Sequence, residues 1–120
     1  MKNYLYIINR PPYGGSQSID QLDCALVAAA FDGAVSLLFC GDGVWNLLPE
    51  QDGSQLGQKT VSKLLKALPT YDIDNLYVCD ASLAARGLDL LNLGLEGPWA
   101  SISMIEQSNL IREQDVVVGA

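Results

Sequence analysis

Leu76-Tyr77-Val78-Cys79-Asp80-Ala81-Ser82-Leu83-Ala84-Ala85-Arg86-Gly87-Leu88 is the stretch on which the reading of this chain turns. Leu76 to Val78 is an apolar run of strand formers, short enough for a buried strand. Cys79 stands where the run stops. Asp80 and Ser82 are helix-starting residue types, and Ala81, Leu83, Ala84 and Ala85 favour helix. Gly87 supplies the stop, with the Arg86 cation in the last turn. The order strand, cysteine, short helix puts a thiol at the carboxyl end of a strand. Open parallel α/β sheets carry their ligands and reactive groups there. The positive end of a helix favours thiolate, so Cys79 is the candidate sulfur nucleophile or carrier. Against this, free cysteines are commonly buried as small hydrophobes, and the charge of Asp80 next door opposes thiolate formation.

The alternation continues in both directions. Tyr4 to Ile8 reads as a first strand, without alternation and so covered on both faces. The loop Asn9-Arg10-Pro11-Pro12-Tyr13-Gly14-Gly15-Ser16 follows at the same rim as Cys79. Its prolines and glycines exclude regular structure, and Pro12 and Tyr13 are candidate docking residues. Ser18 or Asp20 can cap a helix to about Phe31, whose stripe is Leu22, Ala25, Leu26, Ala29 and Ala30, with Cys24 as packing. Val35 to Cys40 reads as a second strand. Gly41-Asp42-Gly43 turns at its end, and Val44 to Leu48 reads as a short helix before Pro49. As a phosphate cradle this Gly-x-Gly is weak, because Asp42 repels phosphate and no lysine of the P-loop kind follows. The turn instead brings Asp42 and Trp45 to the rim, and Trp45, Leu47 and Leu48 form an apolar cluster suited to a subunit contact.

Beyond a polar loop over 50–58, a helix over about 57–68 turns Val61, Leu64, Leu65 and Leu68 inward and Lys59, Lys63 and Lys66 outward. Residues 88–95 are leucine-rich but interrupted, and are expected as irregular segments laid against a neighbour. Ala100 to Met104 reads as a strand, Ile105 to Arg112 as a helix, and Asp115 to Val118 as the last strand. Strands alternating with helices predict an α/β fold: a three-layer, flavodoxin-like, mostly parallel sheet of about five strands with helices on both faces.

The 120 residues suit one domain over 1–120, and 49% hydrophobic against 18% charged residues is core-rich. Such a chain fits a sheet covered on both faces or a subunit hidden in a complex. No apolar run approaches the ~20 residues of a membrane span. The apolar start ends at Asn9-Arg10, too soon for a signal peptide, and no small-residue cleavage site follows. The expected location is therefore the cytoplasm. The net charge is -7, and of the basic residues Lys59, Lys63 and Lys66 alone share a helical face, which argues against direct nucleic-acid binding. The absence of histidine removes His-based acid–base work, Ser-His-Asp and Cys-His arrangements and most zinc sites. Cys24, Cys40 and Cys79 show no Cys-x-x-Cys spacing, and their odd number argues against a disulfide framework. No metal and no cofactor are expected. A receiver-type phosphoacceptor, suggested by Asp42 and Asp80 at strand ends, lacks a lysine at Val118-Gly119-Ala120. A flavin module needs amide donors after the first strand, where Arg10-Pro11-Pro12-Tyr13 offers few.

Val78 to Leu88 resembles the corresponding stretch of the DsrE/DsrF-like family of small α/β sulfur-relay proteins. So does Phe39-Cys40-Gly41-Asp42-Gly43-Val44-Trp45-Asn46-Leu47-Leu48-Pro49. That second motif, with the Pro-Pro-Tyr-Gly loop and Tyr71-Asp72-Ile73, is most similar to the TusC/DsrF type of subunit. The resemblance covers nearly the whole chain. It implies a hexamer with homologous TusB/DsrH-like and TusD/DsrE-like subunits that passes persulfide sulfur to a TusE/DsrC-like carrier. In TusBCD-type complexes the sulfur serves 2-thiouridine formation at the wobble base of certain tRNAs; DsrEFH-type complexes serve the oxidation of stored sulfur. The family's sulfur-carrying cysteine lies on the TusD/DsrE subunit. Cys79 holds the equivalent strand-end position here, with Asp80 where that subunit has small and basic residues. Two expectations follow: Cys79 carries the persulfide, or the chain is a non-catalytic scaffold whose sister subunit supplies the thiol.

Overall fold

The computed structural model describes residues 2–11, 17–31, 33–48, 63–93, 95 and 97–119. Strands β1 (Asn3–Ile8), β2 (Ala34–Phe39), β3 (Asn75–Cys79), β4 (Trp99–Ile102) and β5 (Val116–Val118) form one all-parallel sheet in the order β4-β3-β2-β1-β5. The expected three-layer α/β sheet is thus the observed one. From β1 to β4 the chain steps across the sheet in one direction, then returns past β1 to add β5. Right-handed crossovers place the connections of the outward march on one face and the return on the other.

The helices are distributed accordingly. Leu22, Ala25 and Leu26 of α1 (Gln17–Ala30), Leu64 and Leu65 of α2 (63–67) and Leu83 of α3 (Asp80–Ala85) pack on the face of Tyr6, Ile8, Leu37, Phe39, Leu76 and Val78. Burying each leucine, isoleucine, valine or phenylalanine among them contributes about 1.5–3 kcal/mol. Phe39 also meets Trp99, ring centroids 5.5 Å apart and tilted by 52°. On the opposite face lies α4 (Met104–Arg112), whose Leu110 packs against Leu5, Leu38 and Ile102. A capping box launches α4. The Ser103 hydroxyl accepts from the Glu106 amide at 3.2 Å, and the Glu106 carboxylate accepts from the Ser103 amide at 3.0 Å.

Three sequence expectations are corrected. The segment after β2 is a 3₁₀ helix, Gly41–Leu47, rather than a helix over 44–48. Side chains three apart eclipse in that geometry, so Val44 and Leu47 turn inward together. Leu47 is 1% exposed and belongs to the core, which leaves it no surface for a partner. The leucines of 88–95 cover the chain's own core: Leu93 is buried, Leu88, Leu90 and Leu95 pack against the same cluster, and Leu91 alone among them is largely exposed. Finally, α3 has Cys79 as its N-cap, with Asp80 already in the first turn. The candidate docking residues Pro12 and Tyr13, the polar loop and the first half of the 57–68 helix lie outside the described residues. Among the described residues no helix is long and apolar enough to cross a membrane.

Candidate functional site

The carboxyl ends of β2 and β3 bring two cysteines side by side. The strands pair Leu38 with Tyr77 and Phe39 with Val78, so the next step along the ladder sets Cys40 beside Cys79. Cys40 is extended (φ -143°, ψ 167°), and its amide donates to the Ile8 carbonyl at 3.1 Å, continuing the pleat one residue past β2. Side chains alternate along a strand. Phe39 and Val78 face α1, so Cys40 and Cys79 leave the sheet on the α4 side, as Leu38 and Tyr77 do, from backbones about 4.8 Å apart.

Two opposed effects set the Cys79 thiol. Burial raises its pKa. Hydrogen bonds from the Ser82 hydroxyl, the Gln107 amide and the backbone amides of Ser82 and Ala81 outweigh it, and the pKa falls below the ordinary 9.0. The sulfur closes no capping hydrogen bond of full geometry with α3; the amides of the first turn face it from longer range. Ser82 is well placed to donate, because its oxygen already accepts from the Gly41 amide at 2.8 Å and its own proton is free to point at sulfur. Gln107 reaches the site from α4, its amide also donating to the Ile102 carbonyl at 3.3 Å. Asp80 is exposed and is not among the groups that set the thiol.

Cys40 goes the other way. Burial pushes its thiol up, the neighbouring Cys79 adds to this, and Arg86 partly offsets both. Arg86 bonds the Asp42 carboxylate through Nη2 at 2.9 Å and Nε at 3.3 Å, and the Ser82 carbonyl through Nη1 at 3.1 Å. It therefore ties the turn after β2 to the helix after β3. Gly43 presses the same turn against the end of β1: a Cβ there would lie 1.8 Å from the Ile8 carbonyl oxygen. Buried Asn46 then anchors the loop after β1, donating to the Arg10 and Gly43 carbonyls at 2.8 Å each.

Of the residues singled out from sequence, Cys79 and Asp42 meet at this rim, and Trp45 and Leu48 lie half-buried beside it. Ser82 and Gln107, which set the Cys79 thiol, and Arg86, which acts on Cys40, are site residues to which sequence reading assigned no such role. Ser82 and Arg86 sit at i+3 and i+7 from Cys79, a spacing that places them on the thiol's side of a helix. Gln107 carried no comparable local signal.

The match to the DsrE/DsrF-like family model spans residues 2–119. The chain belongs to this family. Among curated relatives it is 43% identical over 89 residues to a TusC homolog of Pseudomonas aeruginosa, covering 73% of this chain and 75% of that one. It is 36% identical over 99 residues to the intracellular sulfur oxidation protein DsrF of Allochromatium vinosum, covering 80% and 73%. A TusC homolog of Vibrio parahaemolyticus is 31% identical over 107 residues, covering 89% and 91%. Among solved structures, the ychN protein from E. coli superposes with a TM-score of 0.76 over 98% of both chains at 18% identity, which shows a shared fold.

Proposed function

We propose that this chain is a one-domain subunit of a multi-subunit sulfur-relay assembly, in which Cys79 accepts a sulfane sulfur as a persulfide and passes it to a partner thiolate. The observation that carries this reading is the position of Cys79 at the carboxyl end of β3 and the N-cap of α3, with Ser82 of α3 and Gln107 of α4 beside it. The chemistry is thiol exchange, which needs neither metal nor histidine. A stabilised thiolate is also a good leaving group when the partner attacks the outer sulfur. The TusC and DsrF names of the relatives support an assembly with TusB/DsrH-like and TusD/DsrE-like sister subunits, a hexamer, and a TusE/DsrC-like acceptor. The reading assigns the sulfur to tRNA wobble 2-thiouridine formation in the cytoplasm. Exposed Met104 (62%) and Ile105 (76%) on the rim at the start of α4 support a partner surface next to the thiol, with Asp42, Trp45 and Leu48 on its other side.

One observation favours a second reading. Cys79 is 3% exposed, which suits a packed thiol in a scaffold subunit of a DsrEFH-type sulfur-oxidation complex. Incubating the purified chain with inorganic polysulfide and weighing it separates the two. Gain of one sulfur atom by the native chain, lost in Cys79→Ser, supports the carrier; equal gain in both removes it.

A further inference from the structure

The rim carries a second thiol with a different exposure. Cys79 is buried, whereas Cys40, its neighbour across the β2–β3 ladder, keeps part of its surface in solvent. Both side chains leave the sheet on the α4 side. The 2.8 Å bond from the Gly41 amide to Ser82 joins the residue after Cys40 to the helix after Cys79, so the two strand ends are held in register. We propose that Cys40 is a second sulfur station of this chain, taking the outer sulfur of a Cys79 persulfide and presenting it at the rim. The inference rests on the reading of Cys79 as the accepting thiol.

The step balances without oxidant or reductant. The Cys40 thiol loses its proton to solvent, and its sulfur attacks the terminal sulfur of Cys79–S–SH. A sulfur–sulfur bond forms on Cys40, the one on Cys79 breaks, and Cys79 leaves as thiolate; the proton of the sulfane sulfur travels with it. The sulfur came to Cys79 from a persulfide or polysulfide donor. The direction follows from exchange chemistry, in which the less basic thiolate is the better leaving group and the more basic one, once ionised, the stronger attacker. Cys40 is raised and Cys79 lowered, and Arg86 gives the attacking anion a cation beside it. The transfer moves the sulfur from the residue with less of its surface in solvent to the one with more.

A time course on the native chain tests this. The protein is mixed with inorganic polysulfide, quenched at intervals with an alkylating reagent, and mapped by peptide mass spectrometry beside Cys40→Ser and Cys79→Ser. The expected result is extra sulfur on Cys79 first and on Cys40 later, roughly tenfold less on Cys40 in Cys79→Ser, and accumulation on Cys79 in Cys40→Ser. Loading of Cys79 with none on Cys40 overturns the second station and leaves the Cys79 reading intact. Equal loading of Cys40 in Cys79→Ser overturns it as well, since Cys40 is then an independent acceptor. A Cys40–Cys79 disulfide with release of hydrosulfide overturns it too, because attack has then fallen on the inner sulfur. No sulfur on Cys79 in any chain overturns both readings. The order of loading in the native chain is informative even where a variant fails to fold.

Discussion

The α1 side of the sheet and the α4 side differ in how much side chain covers them. On the α1 side, residues from three helices and three 3₁₀ segments close over Leu37, Phe39, Leu76 and Val78. On the α4 side, Leu110 is the apolar residue of α4 that turns inward, Gln107 goes to the thiol, and Met104, Ile105 and Ile111 keep much of their surface in solvent. Both rim thiols open on this thinner side. The denser apolar core and the rim thiols thus fall on different faces, and the proposed partner surface lies on the face with the smaller core. The largest test is a pair of truncations measured by urea unfolding. Phe39→Ala, fully buried against Trp99, is expected to cost about 3–5 kcal/mol, and half-buried Leu110→Ala about 1–2 kcal/mol. Equal losses would break the comparison.

Gly43→Ala comes next. Its Cβ would meet the Ile8 backbone rather than a side chain that can swing away, so the end of β1 or the 3₁₀ turn must move. A loss of about 1–3 kcal/mol is expected, together with slower sulfur loading of Cys79, because the Gly41–Ser82 bond moves with the turn. A variant of native stability and native loading would show that the join is looser than the geometry requires.

The two thiols sharpen the comparison through pH. A lowered pKa means thiolate at lower pH, so the alkylation rate of Cys79 should reach half its plateau below pH 9.0, and that of Cys40 above it. Ser82→Ala removes the largest lowering cause and should move the Cys79 midpoint up. Gln107→Ala should move it up less. In Cys79→Ser the Cys40 midpoint should fall, because the neighbouring charge is gone. Coincident midpoints in the native chain would remove the distinction.

Much of this was legible in the sequence, for identifiable reasons. Uninterrupted apolar runs such as Leu37-Leu38-Phe39 and Leu76-Tyr77-Val78 announce strands covered on both faces, and the turn residues between them announce the crossovers. Cys79 could be placed at the rim because strand and helix signals meet at that residue. Leu47 was misplaced because a helix of 3.6 residues per turn and one of 3.0 distribute Trp45, Leu47 and Leu48 differently, and a short apolar run does not tell them apart. Gln107 was invisible because it meets Cys79 only after α4 has crossed the opposite face of the sheet. The weight given to Asp80 failed for a related reason: adjacency in sequence at a strand–helix junction sends successive side chains in different directions, and this one goes to solvent.

The smallest effect belongs to the link between the two strand ends. Asp42 is 58% exposed, and an ion pair of this kind contributes little, so Asp42→Asn is expected to change stability by about 0.5 kcal/mol or less. Arg86 keeps its bond to the Ser82 carbonyl in that variant and so stays near the rim, now with its charge less neutralised. Since Arg86 favours the Cys40 thiolate, the Cys40 alkylation midpoint should fall in Asp42→Asn and rise in Arg86→Gln, while Cys79, which Arg86 does not set, stays where it is. Opposite movements of one thiol with the other unmoved would mark the Asp42–Arg86 pair as a device that tunes Cys40. Parallel movement of both would mean that the pair acts only by holding the turn in place.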